Sequence, residues 1–189
     1  MAKYTQKAIM DTFLALLEEK TLDKITVRDI VEKCEINRNT FYYYYRDIYE
    51  LLEEVFRVET ENFRKDLSPD MTFLEEYERA ARIVLTYRKA VIHLYNSKER
   101  PILEKYLTEV SREFVGRFVE KEAENAPISV ADRRFIRDFY CYALVGTTMR
   151  WIEEGLPPYE TELVKRLSES FEATVQDMID LCSRQKKKA

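Results

Sequence analysis

Two short amphipathic segments stand close to the N-terminus of the sequence, separated by a turn of only two residues. In the first segment, Val27, Ile30 and Val31 recur at three- and four-residue spacing, which predicts a helix with one buried face. Thr26 and Asn37 stand directly before the two segments, and both residue types cap helix N-termini. The sequence therefore predicts a helix over 27–34, a turn at 35–36 and a second helix over 38–45.

The second segment has one face suited to a core and another rich in hydrogen-bonding groups. Phe41 and Tyr45 lie four residues apart, so they can face the core together. Arg and Asn match guanine and adenine edges in a major groove, and Thr, Tyr and Arg are common phosphate contacts. An aromatic surface for a protein partner is the other interpretation of the tyrosines at 42–45. The predicted base-reading residues are Arg28, Arg38, Asn39 and Tyr43, and those predicted to hold phosphates or the helix start are Thr26, Asn37, Thr40, Tyr42, Tyr44 and Arg46.

This stretch resembles the DNA-binding signature of the TetR (tetracycline repressor) family of bacterial transcription regulators. The match runs in register through Thr26 to Ile30, Ile36 to Tyr42, and on to Leu51 and Leu52. The resemblance implies an all-α fold, with an N-terminal three-helix helix-turn-helix DNA-binding domain and a larger C-terminal helical domain for ligand binding and dimerisation. We expect these domains over residues 1–46 and 47–189.

Three residues depart from the family's pattern. Glu35 stands in the turn where the family usually has Gly, so a residue with a side chain must accept a conformation that Gly adopts freely. Tyr44 replaces a frequent His, and Ile48 replaces a common Lys, which removes one expected phosphate contact. The order of Gly146, Trp151 and Gly155 before a Pro-containing turn is similar, more weakly, to one C-terminal subgroup of the family.

The remainder of the chain predicts further helices and no sheet. The 189 residues include only three Gly and five Pro, and 46% are apolar. No stretch alternates apolar and polar residues for long enough to indicate a strand. Helices are expected over 5–20, from 47 toward 68, over 72–86, 89–95, 99–123 and 129–154, and along a final segment that includes 164–182.

The sequence favours a cytoplasmic protein with reduced cysteines. The longest uncharged run, 139–149, falls short of the roughly 20 residues that a membrane-spanning helix needs. The N-terminus has no apolar signal-peptide region. The cysteines are odd in number and lack paired ligand spacing, so we expect buried free thiols at Cys34, Cys141 and Cys182.

The charge balance keeps a second interpretation open. The net charge is −4, and the first fifty residues contain eight Lys and Arg against nine Asp and Glu, which gives −1. Affinity for DNA depends on which charges face phosphate, so this balance does not exclude it. Together with Ile48, however, it favours slightly the alternative of a TetR-fold protein–protein interaction module or coactivator that has lost DNA binding.

Enzymatic interpretations find no support in the sequence. The single histidine, His93, has no second His or carboxylate at metal-ligand spacing, and there is no nucleophile motif or phosphate-binding Gly loop. We therefore predict no catalytic residue, metal or cofactor. The family resemblance implies a pocket for an unidentified small-molecule effector, although aromatic and Met residues at helical spacing are more often core. The candidate lining residues are Tyr87, His93, Tyr142 and Met149.

Two C-terminal segments carry apolar residues at helical spacing, and each stripe could face either its own core or a partner. Helix-turn-helix proteins commonly bind two half-sites one helical turn apart, which favours a two-fold partner. We therefore expect a homodimeric repressor that binds a palindromic DNA operator and releases it when the effector binds. The candidate interface residues are Phe139, Gly146, Val164, Leu167, Phe171, Val175 and Met178.

Overall fold

The structure is a computed structural model that describes residues 2–68, 70–158 and 160–186. Within these ranges the chain forms helices and no strand, which confirms the predicted all-α class. None of the described helices is both long and apolar enough to cross a membrane. The helices are α1 (Ala2–Glu19), α2 (Val27–Lys33), α3 (Arg38–Tyr44), α4 (Ile48–Lys65), α5 (Phe73–Thr86), α6 (Arg88–Tyr95), α7 (Arg100–Glu122), α8 (Val130–Glu153) and α9 (Glu160–Lys186), with a single 3-10 turn at Leu22–Lys24.

The chain divides into two compact units. The first unit consists of Met1–Asn62 with Val84–Tyr106, and the second unit consists of Phe63–Ile83 with Leu107–Ala189. Each unit is therefore discontinuous in sequence, and α4, α5 and α7 contribute residues to both. The expected domain boundary after residue 46 stays a prediction.

In the first unit, α6 is joined to the last turn of α1 by two hydrogen bonds. The Ala90 N–H, in the first turn of α6, donates to the Glu18 carboxylate at 2.9 Å. Tyr87, which precedes α6, supplies no capping side chain, so Glu18 satisfies a backbone donor that would otherwise be left open. One turn later, the His93 ring Nδ1 lies 2.7 Å from the Leu17 carbonyl oxygen. These contacts make α6 part of the packing that supports the helix-turn-helix.

Aromatic side chains from α5, α7 and α9 form the core of the second unit. Phe73 stacks on Phe171 with ring centroids 4.1 Å apart, and it packs edge-on against Phe114 at 5.5 Å. Each such pair contributes about 0.5–1.5 kcal/mol beyond the area it buries. This core corrects part of the interface expectation, because the helical stripe of α9 faces its own unit. The side chains buried there are Val164, Phe171 and Val175.

A fully buried carboxylate lies beside this core. The Glu76 side chain is 0% exposed, and it receives hydrogen bonds from Arg117 at 2.7 Å and from Arg79 at 2.8 Å. The two guanidinium groups also donate to backbone carbonyl oxygens at the end of α4 and just after it, those of Phe63 and Ser68. This Glu76 ion cluster therefore fixes the chain where α4 ends, since a buried charge is tolerated only when it is paired and hydrogen-bonded.

Candidate nucleic-acid interface

A reciprocal capping box fixes the start of α2. The Asp29 N–H donates to the Thr26 hydroxyl oxygen at 3.2 Å, and the Thr26 N–H donates to the Asp29 carboxylate at 2.7 Å. The Thr26 hydroxyl, and next the Lys20 ammonium at 3.0 Å, hold the pKa of Asp29 down at about 2. The hydroxyl of Thr26, one of the predicted phosphate contacts, is thus engaged within the chain, although the residue is exposed.

The turn between α2 and α3 contains a left-handed backbone conformation, which is unfavourable for the glutamate that occupies it. Glu35 has φ 55°, a left-handed value that costs a residue with a Cβ roughly 1–2 kcal/mol. The Ile36 N–H donates to the Val31 carbonyl at 3.0 Å and the Glu35 N–H to the Glu32 carbonyl at 3.3 Å, which is the Schellman pattern of a helix end. The structure thus confirms that Glu35 occupies a conformation that suits Gly.

The α3 helix begins at the predicted cap and buries the predicted face. The Asn37 side-chain oxygen accepts the Thr40 N–H at 2.8 Å and the Thr40 hydroxyl at 3.1 Å. Phe41 and Tyr45 are buried, as the four-residue spacing predicted. The opposite face is therefore turned to solvent, and its exposed side chains are Arg38, Asn39, Tyr42 and Tyr43, with Tyr44 half-buried.

The arginines of this surface differ in their partners. Arg28 pairs with Glu32 at 2.6 Å, and Arg46 pairs with Asp47 at 3.3 Å. Exposed pairs of this kind contribute at most about 1 kcal/mol, so both guanidinium groups stay available to a stronger anion. Arg38 is exposed and forms no ion pair with any residue that the structure describes. Its guanidinium group can therefore bind a DNA phosphate or base without first breaking an ion pair to a described residue.

The start of α4 adds a residue that the sequence reasoning missed. The Asp47 carboxylate accepts the Tyr49 and Glu50 N–H groups, each at 2.9 Å, so Asp47 caps this helix. Tyr49 is exposed and presents a hydroxyl three residues after Arg46. The sequence feature that points to Tyr49 is its position in the first turn of a capped helix, where phosphate groups are favoured.

The candidate pocket residues fall into both units. Tyr87 and His93 belong to the first unit and Tyr142 and Met149 to the second. His93 is held against the Leu17 carbonyl, Met149 is buried, and Tyr142 is 59% exposed. The effector pocket therefore stays a prediction.

The remaining interface candidates are found on α8 and α9. On α8, Phe139 is 53% exposed, and beyond the local helix backbone no described atom lies within 4 Å of where a Cβ on Gly146 would stand. On α9, Leu167 and Met178 are half-buried. The open part of the predicted interface therefore lies on α8.

Cysteine and acidic side chains do not assemble into a metal centre in the described ranges, where no group of three His, Cys, Asp or Glu is arranged to hold an ion. The three cysteines are free thiols. Cys141 and Cys182 are buried as expected, whereas Cys34 is half-buried and donates its thiol hydrogen to the Thr12 hydroxyl oxygen at 3.1 Å.

Two family models match the chain. The model described as "Bacterial regulatory proteins, tetR family" matches residues 9–55, the region of the helix-turn-helix. The model described as "Transcriptional regulator C-terminal region" matches residues 71–173, more than half of the chain. A curated relative, the "Uncharacterized HTH-type transcriptional regulator YxbF" of Bacillus subtilis (strain 168), is 30% identical over 67 residues. That match covers 35% of this chain but only 18% of the relative.

Solved structures share the fold over nearly the whole chain. The "Dihydroxyacetone kinase operon activator DhaS" superposes with a TM-score of 0.75 at 20% identity, covering 91% of this chain and 96% of its own. A tetR-family transcriptional regulator from Streptomyces coelicolor superposes with a TM-score of 0.68 at 13% identity, covering 97% of this chain and 88% of its own. The two family matches agree with the structure, in which a capped helix-turn-helix exposes the polar face of α3. The chain belongs to the tetR family of bacterial regulatory proteins and is a DNA-binding transcription regulator.

Proposed function

We propose that this regulator binds a palindromic operator as a homodimer through α3, and that a small-molecule effector controls the binding. The observation that carries the proposal is the division of α3 into a buried face and an exposed face. Phe41 anchors the buried face, while Arg38 and Asn39 occupy the first turn of the exposed one. The N-terminal residues of a recognition helix are those that reach base edges in a major groove.

Phosphate contacts in this proposal come from residues around the first turn and the end of α3. Tyr42 is exposed and Tyr44 half-buried, and both carry hydroxyl donors, while Arg46 follows the helix with its side chain 82% exposed. The hydroxyls of Thr26 and Thr40 already donate to Asp29 and Asn37, so both residues contribute by fixing the starts of α2 and α3. The proposal also places the protein in the cytoplasm, where a chromosomal operator lies.

The homodimer is proposed from the exposed side of α8. Three large apolar side chains stand there at spacings of four and three residues, Phe135 at 58%, Phe139 at 53% and Tyr142 at 59% exposure. Gly146, four residues further on, leaves open space above the helix. An apolar stripe with a small residue at its end suits close packing against a second copy. This assigns Tyr142 to the interface rather than to an effector pocket.

The sign of regulation has two candidates. We favour repression, in which a bound dimer blocks access to the promoter. The structural neighbour DhaS is named an operon activator, and this supports activation as the second candidate. A reporter gene downstream of the selected operator separates them, because deletion of the regulator raises expression under repression and lowers it under activation.

Selection of bound duplexes from a random DNA pool, followed by titration at two salt concentrations, tests the DNA-binding proposal. We expect an enriched palindrome and an affinity that falls by about 0.9 log units per log unit of salt for each phosphate contact. Arg38→Ala and Tyr42→Ala should weaken binding at least about tenfold, which corresponds to roughly 1.4 kcal/mol. Arg57→Ala is the matched control, because Arg57 lies on α4 and pairs with Glu54 and Glu61.

The alternative function, a TetR-fold protein–protein interaction module that does not bind DNA, predicts different results in the same experiment. Ile48 in place of Lys and the acidic balance are the observations that favour it. Folded, dimeric protein would then enrich no sequence, and any binding to a protein partner through apolar contacts would respond weakly to salt. Unchanged operator affinity in both α3 variants would refute the contact assignment.

A further inference from the structure

Phe56 and Tyr106 stack in the first unit, with ring centroids 4.5 Å apart and planes inclined by 21°. Phe56 lies on α4 and is half-buried, whereas Tyr106 lies on α7 and is only 7% exposed. Within the described ranges the Tyr106 hydroxyl makes no hydrogen bond. Unlike the hydroxyl of Tyr45, it is not fully buried, so it retains some surface that a ligand can reach. This hydroxyl is therefore free to accept a hydrogen bond from a bound molecule.

Glu59 places an unpaired carboxylate beside this stack. It lies three residues after Phe56 on α4, the spacing that puts two side chains on one helix face. Glu59 is half-buried and forms no ion pair or hydrogen bond in the part of the chain that the structure describes. After burial, which is the larger cause, the Glu59 charge raises the pKa of the hydroxyls of Tyr87 and Tyr106. The Glu59 charge thus acts on both phenols, and the stacking of Tyr106 on Phe56 places one of them beside the same face of α4.

Nearby charges do not neutralise Glu59. Asp11 raises the pKa of Glu59 further, after burial, and Asp11 itself is paired with Lys7 at 3.1 Å. Glu18 is engaged with the Ala90 N–H. The surroundings thus contain a net negative charge next to aromatic rings.

A single carboxylate with two phenols does not suit a metal ion. Calcium needs six to eight oxygen ligands, and magnesium needs near-octahedral geometry. Among the described residues, no three His, Cys, Asp or Glu side chains are grouped so that they could hold a metal ion. An organic ammonium ion fits better, because a carboxylate balances its charge, phenol oxygens accept its N–H groups, and aromatic rings attract a cation and its alkyl groups.

We propose that the cluster of Phe56, Glu59, Tyr87 and Tyr106, the Glu59 cluster, binds a small organic cation of the alkylammonium class, and that this is the chemical class of the effector. The effector role rests on the regulator function proposed above, whereas the binding is a property of the chain alone. Two cluster residues lie on α4, which begins four residues after α3 ends. If α4 moves between two conformations of the protein, a cation that binds one of them more tightly shifts the population of molecules toward that conformation.

Calorimetric titration of the full chain without DNA tests this inference. The probes are the chlorides of choline, benzyltrimethylammonium and phenethylammonium, with 3,3-dimethylbutan-1-ol as the uncharged analogue of choline. We expect at least one ammonium to bind, and the alcohol to bind at least about tenfold more weakly than choline when choline binds. Glu59→Gln should weaken ammonium binding at least about tenfold. Tyr106→Phe should weaken the binding of phenethylammonium, the probe with N–H groups that the phenol oxygen can accept, while leaving the ring in place.

Glu53→Gln is the matched control, because it removes the same charge from an exposed position of the same helix. It should bind the probes as the unaltered protein does. Circular dichroism and thermal unfolding establish that each variant folds, and Tyr106→Phe decides the matter if Glu59→Gln does not fold. The inference is overturned if no ammonium probe binds, if Glu59→Gln binds as well as Glu53→Gln, or if the alcohol binds as well as choline. Since no DNA is present, a failure here is separate from a failure to select an operator.

Discussion

At the scale of single residues, the hydroxyl of Tyr45 is buried without a hydrogen-bond partner among the described side chains and backbone groups. Burial, and next the charge of Glu54, raise its pKa to about 12. The ring packs against Phe41 with centroids 5.9 Å apart. Tyr45→Phe keeps this packing and removes the unsatisfied group, so we expect the free energy of unfolding to rise by about 1 kcal/mol.

Urea denaturation followed by circular dichroism measures this change. Tyr43→Phe is the control, because its hydroxyl is exposed and its loss should change stability by less than about 0.5 kcal/mol. A lower stability of Tyr45→Phe would contradict the prediction and would indicate that an ordered water completes the hydroxyl's hydrogen bonding.

The sequence predicted the local features of the DNA-binding surface because their causes are local. Thr26 and Asn37 cap because their side chains reach backbone donors two or three residues away. Glu35 was identified as strained from a single departure in the turn. The Tyr45 hydroxyl could not be identified in this way, since spacing predicts that the ring is buried but not whether a distant group meets its oxygen.

At the scale of helices, the Glu76 ion cluster holds α5, α7 and the end of α4 together. Glu76→Gln would leave two partly buried guanidinium groups, those of Arg79 and Arg117, without a compensating charge. Breaking a buried pair in this way costs about 3–5 kcal/mol, and the partial exposure of both arginines favours the lower end of that range. We expect the free energy of unfolding, measured by urea denaturation, to fall by a corresponding amount.

Glu113→Gln provides the comparison. Glu113 pairs with Arg64 nearer the surface, where an ion pair contributes about 0–1 kcal/mol. Equal losses in Glu76→Gln and Glu113→Gln would mean that burial of the carboxylate adds nothing to the strength of the cluster.

Helix positions were predicted well, but the neighbours of each helix face were not. The capping box of Ser129 and Asp132 and the Gly155 stop define α8 from nearby residues alone. Phe139 and Phe171 stand in similar apolar stripes, yet only Phe171 is buried in its own unit. Periodicity shows that a face is apolar and cannot identify what covers it. Glu76 likewise resembles any helical glutamate until Arg117, 41 residues away, is placed beside it.

At the scale of the whole molecule, the proposed dimer leads to a prediction at Gly146. Apart from its own helix backbone, no described atom lies within 4 Å of the Cβ that a leucine there would add, and the substitution should stabilise α8 by up to about 1 kcal/mol. On the proposed interface the same side chain would hold the second copy away. We expect Gly146→Leu to raise thermal stability at low concentration while weakening dimerisation at least about tenfold.

Analytical ultracentrifugation over a concentration series measures this effect. Lys121→Leu adds an apolar side chain at an exposed position of α7 and should leave the association constant unchanged. A Gly146→Leu protein that dimerises as tightly as the unaltered chain would exclude α8 from the interface.

The hydrogen bond from Ala90 to Glu18 has a consequence for building hybrid regulators. A designer who transplants residues 1–46 onto another scaffold severs that bond and also separates His93 from the Leu17 carbonyl. The graft then lacks the supporting helix that completes its packing, even though every base-reading side chain has been carried across. The portable piece is discontinuous: it combines Met1–Asn62 with Val84–Tyr106, so a functional exchange of DNA specificity requires α6 to travel with the helix-turn-helix.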